Sequence, residues 1–333
     1  MARGSDPKAT GRTAPAPSVP APAVTTRSAP VLIASDWRDY ELLDSGGGLK
    51  FERYGPWRFI RPDSQAWWPP RLPSDQWKAD AIFSGREGEE MGRWQFIRRV
   101  PESWPMVWNL PPEVRGGAGV RFHARCTPFR HLGVFPEQSV HWDWCARQIA
   151  AAGRPVKVLN LFGYTGVASL ACAAAGAEVT HIDASKKAVT YGRENQVLAG
   201  LEGAPIRWIV EDAVKFVERE ARRGNRYDGI ILDPPKHGRG PAGEVFKLEE
   251  SLQALLDGCA SILSERALFM VATVYAVRLS FLALDNAMAA ALAGRGGALV
   301  SGEMAIPEAG GDRLLPTAIF ARWTGGGAAA QPG

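Results

Sequence analysis

Four short polar segments each follow an apolar, strand-like stretch in the second half of the chain. They are the turn Phe162-Gly163-Tyr164-Thr165-Gly166, Asp183 with Ser185, Asp212, and Asp233-Pro234-Pro235-Lys236. The carboxyl ends of parallel strands meet at one edge of a sheet, where open α/β sheets bind their ligands. The spacing therefore predicts that the four segments line a single ligand-binding crevice.

The first segment joins a strand to an alanine-rich helix. Glycine lets a ligand approach the backbone closely. The free N–H groups and positive dipole end of the helix suit a carboxylate. A dinucleotide-binding turn would read G-x-G-x-x-G, whereas Gly163 and Gly166 enclose only Tyr164 and Thr165. The turn therefore lacks the dinucleotide pattern and favours a ligand that carries a carboxylate.

Two aspartates follow the next two strands. Asp183 lies about twenty residues beyond the turn, where a carboxylate can accept both hydroxyls of a ribose. Asp212 stands where an acceptor could meet an adenine amino group. Both aspartates also precede helices, with Ser185 beside the first, so helix capping is the alternative role. We interpret both as binding residues, since one carboxylate oxygen can cap while the other binds.

Asp233-Pro234-Pro235 discriminates between ligand classes. The prolines have fixed φ angles and no N–H, which leaves backbone carbonyls free to accept a hydrogen bond from a target amine or base edge. Asp233 could pair with an ammonium group or orient the acceptor. A nicotinamide enzyme has no need of this segment. A methyltransferase that uses S-adenosylmethionine does need such a segment to orient the methyl acceptor. The following Lys236 and His237 begin a basic, flexible stretch that could close on an anionic substrate.

The elements that would position these segments alternate regularly after Pro155. Predicted strands are 156–161, 178–182, 206–210, 228–232, 267–272, 298–303 and 316–323. Predicted helices are 139–151, 166–175, 185–199, 212–223, 244–263 and 277–293. Strands interleaved with helices of ten or more residues indicate an α/β fold with a mostly parallel sheet.

The first part of the chain has a different texture. Residues 1–30 are rich in proline and alanine and predict a disordered tail. Residues 31–130 contain short alternating segments and predict a small antiparallel β domain. Most of the twelve tryptophans lie there, and we expect the majority to fill its core, with one or two exposed for stacking. Residues 131–325 form the predicted cofactor-binding domain, and 326–333 a flexible tail.

Composition limits the partners. The net charge is +4, but residues 1–30 account for +3, so bulk charge gives little support for a polyanionic partner. Four cysteines without CxxC spacing and five scattered histidines predict reduced thiols, a cytoplasmic location and no metal site. No apolar run approaches the roughly 20 residues of a membrane helix. Nothing in the sequence indicates an oligomeric state.

With these motifs the chain resembles class I S-adenosylmethionine-dependent methyltransferases, and more narrowly the bacterial group that methylates 23S rRNA at cytosine C5 or guanine N7. The matching pieces are Gly133-Val134-Phe135-Pro136-Glu137-Gln138, 159–166, 183–186 and 233–236. The resemblance implies a Rossmann-like, seven-stranded sheet with a reversed last hairpin. It also implies S-adenosylmethionine contacts at 162–166, Asp183, Ser185, Asp212 and Asp233, with Phe135 and Gln138 lining the cleft. Asn195 matches the group's pattern too.

Two departures from the group limit the chemistry. Cytosine C5 is a poor nucleophile, and relatives that methylate it carry a cysteine just after the fifth strand, which is absent from 271–277. The group also usually has an aromatic residue where His237 follows Pro-Pro-Lys. We therefore expect direct methyl transfer, with Asp233, Pro234, Pro235 and Lys236 at the reaction centre, His237 at the substrate and RNA as the partner. A small-molecule or protein methyltransferase, or a binding protein with a vestigial cofactor site, is the alternative.

Overall fold

In the computed structural model of the protein, residues 1, 28–34, 37–85, 92–275 and 279–326 are described. The predicted tails fall largely on residues 2–27 and 327–333, outside the described residues. The predicted domain boundaries at 30/31 and 130/131 stay predictions.

The amino-terminal half is built from strands. They are β1 (Val31–Ile33), β2 (Tyr40–Gly46), β3 (Leu49–Tyr54), β4 (Trp57–Pro62), β5 (Ala81–Ser84), β6 (Arg93–Phe96), β7 (Trp104–Asn109) and β8 (Gly119–Ala124). Strands β2 to β6 form one sheet in chain order, and β7 and β8 form a hairpin. The sheet is antiparallel except for one parallel pair, β4 with β5, because a long connection replaces a tight turn between them.

The carboxyl-terminal half alternates helices and strands. Its helices are α1 (Ser139–Ala151), α2 (Val167–Ala174), α3 (Lys186–Leu198), α4 (Ala213–Arg223), α5 (Leu248–Ser261) and α6 (Phe281–Ala291). Its strands are β9 (Lys157–Leu161), β10 (Glu178–Asp183), β11 (Ile206–Val210), β12 (Gly229–Leu232), β13 (His237–Arg239), β14 (Val245–Lys247), β15 (Phe269–Tyr275), β16 (Ala298–Pro307) and β17 (Leu314–Thr324).

The large sheet has the order β1-β16-β17-β15-β12-β9-β10-β11. Strand β17 runs antiparallel to both of its neighbours, and every other pair is parallel. The mostly parallel sheet with a reversed last hairpin is therefore confirmed. The chain leaves β9 toward β10 and β11 and then returns to β12 on the other side, so the order reverses between β9 and β12. Ligands of open α/β sheets bind at such a reversal.

Two details differ from the sequence prediction. The large sheet has an eighth strand, β1, which pairs with β16 at the edge although it precedes the amino-terminal β sheet in the chain. The predicted helix 244–263 begins only at Leu248, because Val245–Lys247 pairs with His237–Arg239 as a small antiparallel ladder. The stretch expected to be a flexible loop after Asp233 is thus a hairpin.

The two halves share one hydrophobic cluster. It joins Tyr54 and Phe59 of the amino-terminal sheet to Trp142 of α1 and Val158 of β9. As expected, most tryptophans pack in or against the core, and Trp67 is the one that stands out, with 86 % of its surface exposed. Within the described residues, no helix is long and apolar enough to cross a membrane.

Candidate functional site

The turn after β9 adopts an uncommon backbone conformation. Phe162 and Tyr164 have φ angles of 55° and 49°, and Gly166, which precedes α2, has a φ of 82°. Positive φ angles at non-glycine residues cost on the order of 1–3 kcal/mol each and concentrate at ligand sites. A Cβ added to Gly163 would lie 2.4 Å from His181 Cε1, so the ring also requires glycine there.

Asp183 ends β10 and holds this turn. Its Oδ2 accepts the backbone N–H of Tyr164 at 2.8 Å, and its Oδ1 accepts that of Ser185, also at 2.8 Å. Burial raises the pKa of Asp183, and the two N–H donors partly oppose that shift. Each carboxylate oxygen keeps acceptor capacity. Ser185 itself caps α3, since its hydroxyl accepts the N–H of Ala188.

Thr165 is fixed from two sides. Its hydroxyl donates to the carbonyl of Gly133 at 2.7 Å, and its carbonyl accepts from the side-chain amide of Asn195 at 2.9 Å. The Asn195 oxygen accepts the backbone N–H of His123 in β8 at 2.9 Å. Asn195 is fully buried in α3. It therefore ties the turn after β9 to the amino-terminal hairpin β7–β8.

Asp212 follows β11 and caps α4. Its Oδ1 accepts the N–H of Lys215 at 3.0 Å, so the capping role is observed. The residue lies two positions past the strand end at the same sheet edge as Asp183, because β10 and β11 are parallel neighbours. An adenine-binding role for Asp212 stays a prediction.

Asp233 follows β12 and lies in a polar cluster with Gln138 and Tyr275. The Gln138 amide donates to Asp233 Oδ2 at 3.0 Å and to the Tyr275 hydroxyl at 2.9 Å. Burial, then the neighbouring Glu137 carboxylate, raises the pKa of Asp233 well above its usual range, and the Gln138 hydrogen bond opposes this. Burial likewise raises the pKa of Glu137. Two carboxyl groups thus share one enclosed region beside β12.

The residues after Asp233 turn outward. Pro234 is buried, whereas Pro235, Lys236 and His237 are exposed. His237 opens β13, where it pairs with Lys247 of β14. The structure brings Asp233 and Gln138 together, but it places Lys236 and His237 on the surface rather than among the buried polar groups. Their contact with a substrate stays a prediction.

Aromatic rings connect the turn to this cluster. The Phe135 ring lies 6.1 Å from that of Tyr164 and 5.4 Å from that of Tyr275, between ring centroids. The Tyr164 hydroxyl lies 3.1 Å from His131 Nδ1. Burial lowers the pKa of His131 to about 4, with Arg61 and Arg130 adding to the shift, so the ring is neutral at neutral pH.

Sequence reasoning missed three residues of this site: Glu137, Tyr275 and His131. Tyr275 is the last residue of β15, so the strand-end rule that identified Asp233 applies to it as well. Glu137 lies between Phe135 and Gln138 in the chain. No periodic signal marked His131, because its position depends on the turn at 127–131.

The arrangement fits S-adenosylmethionine, the ligand implied by the sequence resemblance. Asp183 offers two acceptor oxygens beside the strained turn, and α2, which begins at Val167 after the N-cap Gly166, has no side-chain cap on its first N–H groups. A Cβ at Gly166 would lie 2.5 Å from the Trp208 ring, so this N-cap position requires glycine, which carries no capping side chain. No group of three or more histidine, cysteine, aspartate or glutamate residues suited to a metal occurs in the described part of the chain.

Comparisons with known proteins agree with this geometry. The sequence model of the S-adenosylmethionine-dependent methyltransferase family matches residues 108–276 of this chain. The structure is similar to a crystal structure of the SAM-dependent methyltransferase from Agrobacterium tumefaciens, with a TM-score of 0.82 and 51 % identity. That match covers 90 % of this chain and 97 % of the other.

Curated relatives match over shorter segments. Ribosomal RNA large subunit methyltransferase K/L of Shewanella frigidimarina is 29 % identical over 148 residues, which are 44 % of this chain and 20 % of the relative. Ribosomal RNA large subunit methyltransferase I of Aeromonas salmonicida is 36 % identical over 87 residues, 26 % of this chain and 22 % of the relative. The match therefore spans about a fifth of the length of these relatives. Together with the strand order and the turn held by Asp183, the family match over half of the chain shows that this protein belongs to the S-adenosylmethionine-dependent methyltransferase family.

Proposed function

We propose that the protein transfers a methyl group from S-adenosylmethionine directly to a nitrogen or oxygen atom of RNA, with large-subunit ribosomal RNA as the substrate. The observation that carries this proposal is the position of Asp233-Pro234-Pro235 next to β9 and its turn, at the point where the strand order reverses. The names of the ribosomal RNA methyltransferases that match the chain support the choice of RNA. A ribosomal substrate would also place the protein in the cytoplasm.

The cysteines support transfer without a covalent enzyme intermediate. Cys145, Cys172 and Cys259 are buried in helices. The neighbouring Cys145 thiol, and then burial, raise the pKa of Cys172, and burial raises the pKa of Cys259. Cys126 is partly exposed, but burial raises its pKa to about 12. A thiol needs its thiolate form to attack a base, so the described cysteines are poorly suited to cytosine C5 chemistry.

In this proposal the bound cofactor supplies an electrophilic methyl group on a sulfonium. Asp183 would hold the ribose hydroxyls, and the uncapped N–H groups at the start of α2 would face the carboxylate of the cofactor. The Pro234 carbonyl accepts from the target base, and Asp233, oriented by Gln138, accepts a hydrogen bond from the attacking group. Rate enhancement comes mainly from in-line positioning of acceptor and methyl group.

The test is incubation of the protein with isotope-labelled S-adenosylmethionine and large-subunit ribosomal RNA transcribed in vitro, followed by nucleoside mass spectrometry. Labelled methyl on one nucleoside type is expected, and Asp233→Asn should lower its rate of formation. Parallel incubations with a protein extract and a small-molecule extract serve as controls. Label that enters protein or small molecules but never RNA would contradict the proposal.

Salt dependence provides a second readout. An RNA substrate contacts the protein through phosphates, so its apparent affinity should fall steeply as salt concentration rises. A flat response over the same range would favour an uncharged acceptor instead.

A further inference from the structure

We propose that Phe129 and His131 form a stacking site for a base of the RNA that flanks the acceptor base, here called the aromatic shelf. This inference rests on the proposed function, because it names the part of the protein that receives the RNA base. The two rings lie nearly parallel, with an interplanar angle of 9° and 5.4 Å between centroids. Phe129 is 37 % exposed, so part of its ring is accessible to a ligand.

The shelf touches both halves of the reaction site. On the cofactor side, the His131 ring packs edge-on against Tyr164, with 5.1 Å between centroids. On the acceptor side, it lies 5.4 Å from Phe135, which contacts Tyr275, and Gln138 links Tyr275 to Asp233. A base on the shelf would therefore lie near the entrance between the turn at 162–166 and the segment at 233–237, here called the acceptor loop.

The shelf is held in place before any ligand binds. The Thr127 hydroxyl lies within hydrogen-bond distance of the carbonyls of Phe129 and His131, at 3.2 and 3.1 Å, and of the Phe129 N–H at 3.2 Å. The Arg61 guanidinium donates to the carbonyl of Arg130 at 2.7 Å. A turn fixed in this way loses little entropy on binding, which favours affinity.

The chemistry of the shelf suits a nucleobase. Aromatic side chains stack on bases regardless of base type, since every base has a π face. Arg130, between the two rings in the chain, is exposed and can contact a phosphate. The acceptor loop offers aliphatic Pro235 and Lys236 and an outward His237. The shelf would thus add an aromatic contact for the RNA that the Pro-Pro-Lys-His segment does not provide.

The first test compares Phe129→Leu with Phe129→Tyr. Leucine keeps an apolar side chain but removes stacking, whereas tyrosine keeps both. We expect leucine to raise KM for RNA roughly 5- to 150-fold, the loss of one stacked base. Tyrosine should restore the parental KM, and calorimetric affinity for S-adenosylmethionine should stay unchanged in both variants. Phe96→Leu, the same substitution at another exposed ring, serves as the control and should leave KM unaltered.

The outcomes separate the shelf from the function on which it rests. An active parent whose leucine variant keeps the parental KM contradicts the shelf alone. A parent that never methylates RNA contradicts both proposals.

Photocrosslinking gives a readout independent of turnover. RNA containing 5-iodouridine should attach to the tryptic peptide 126–130, in which Phe129 is the sole aromatic residue. Adducts confined to peptides that contain Trp67 or Phe96 would place the RNA elsewhere and overturn the shelf.

Discussion

At the scale of single residues, two aspartates of the site differ in what surrounds them. Asp183 accepts two backbone N–H groups, whereas Asp233 accepts one side-chain amide and faces the carboxyl group of Glu137. Backbone donors favour the charged form, and a neighbouring carboxylate disfavours it. Asp183 is therefore suited to bind hydroxyl groups as a carboxylate, and Asp233, whose pKa is raised, to hold its proton at higher pH than an ordinary aspartate.

Replacing Asp183 by alanine should weaken S-adenosylmethionine binding by about 1.5–3 kcal/mol, because a hydrogen bond to a charged group is lost. Isothermal titration calorimetry measures this change. Asp183→Asn keeps one carbonyl acceptor and should lose less. Equal affinity in the alanine variant and the parent would show that Asp183 does not bind the ribose.

Methyl transfer should depend on pH through Asp233. Its pKa is raised, so the carboxylate that accepts from the attacking group forms only at higher pH than for an ordinary aspartate. The single-turnover rate should therefore fall as the pH is lowered through that raised pKa. In Glu137→Gln, the acidic limb should move to lower pH, because the neighbouring negative charge is gone. Superimposable pH profiles of the parent and Glu137→Gln would contradict this coupling.

At the scale of elements, the turn between β9 and α2 depends on two glycines, of which Gly166 also has a positive φ. Gly166→Ala would face both a positive φ and the Trp208 ring. We expect it to lower the free energy of unfolding by about 1–3 kcal/mol and to weaken cofactor binding. Gly203→Ala is the matched control, since its added Cβ would meet nothing within 4 Å. Urea unfolding and calorimetry check both variants, and equal stability of the two would refute the requirement.

Strand ends were predictable because their residues obey a simple rule. Each of Asp183, Asp212 and Asp233 follows an apolar run, and parallel strands bring such positions to one edge. The hairpin β13–β14 was missed because its strands have three residues each, too short to show a period of two against the helical pattern that follows. Strand β1 was missed because its partner β16 lies some 270 residues later in the chain, and pairing at that distance leaves no local trace.

At the scale of the whole molecule, the amino-terminal sheet and the large sheet are joined by aromatic packing around α1. The Trp142 ring lies 5.9 Å from that of Trp37 and 5.6 Å from that of Trp108. A buried charge pair adds to this region: Arg61 donates to both oxygens of Glu52, at 2.8 Å each. Since one cluster spans both sheets, we expect the two halves to unfold together.

Trp142→Ala should remove about 3–5 kcal/mol from the free energy of unfolding, because the side chain is buried and leaves a cavity. Far-ultraviolet circular dichroism and tryptophan fluorescence should report one coincident transition in the parent. Trp67→Ala, at an exposed position, should change stability by less than about 0.5 kcal/mol. Two separated transitions in the parent protein would show that the halves fold independently.

The hydrogen bonds of the buried Asn195 side chain restrict which residue types can occupy position 195. Its NH₂ group donates to the carbonyl of Thr165 while its oxygen accepts from the N–H of His123. Aspartate would leave that carbonyl without a donor, and leucine would leave both backbone groups unsatisfied. Glutamine has the right atoms but is one methylene too long for the space. Substitution of Asn195 would therefore loosen both the turn at 162–166 and the β7–β8 hairpin, although Asn195 belongs to neither of them.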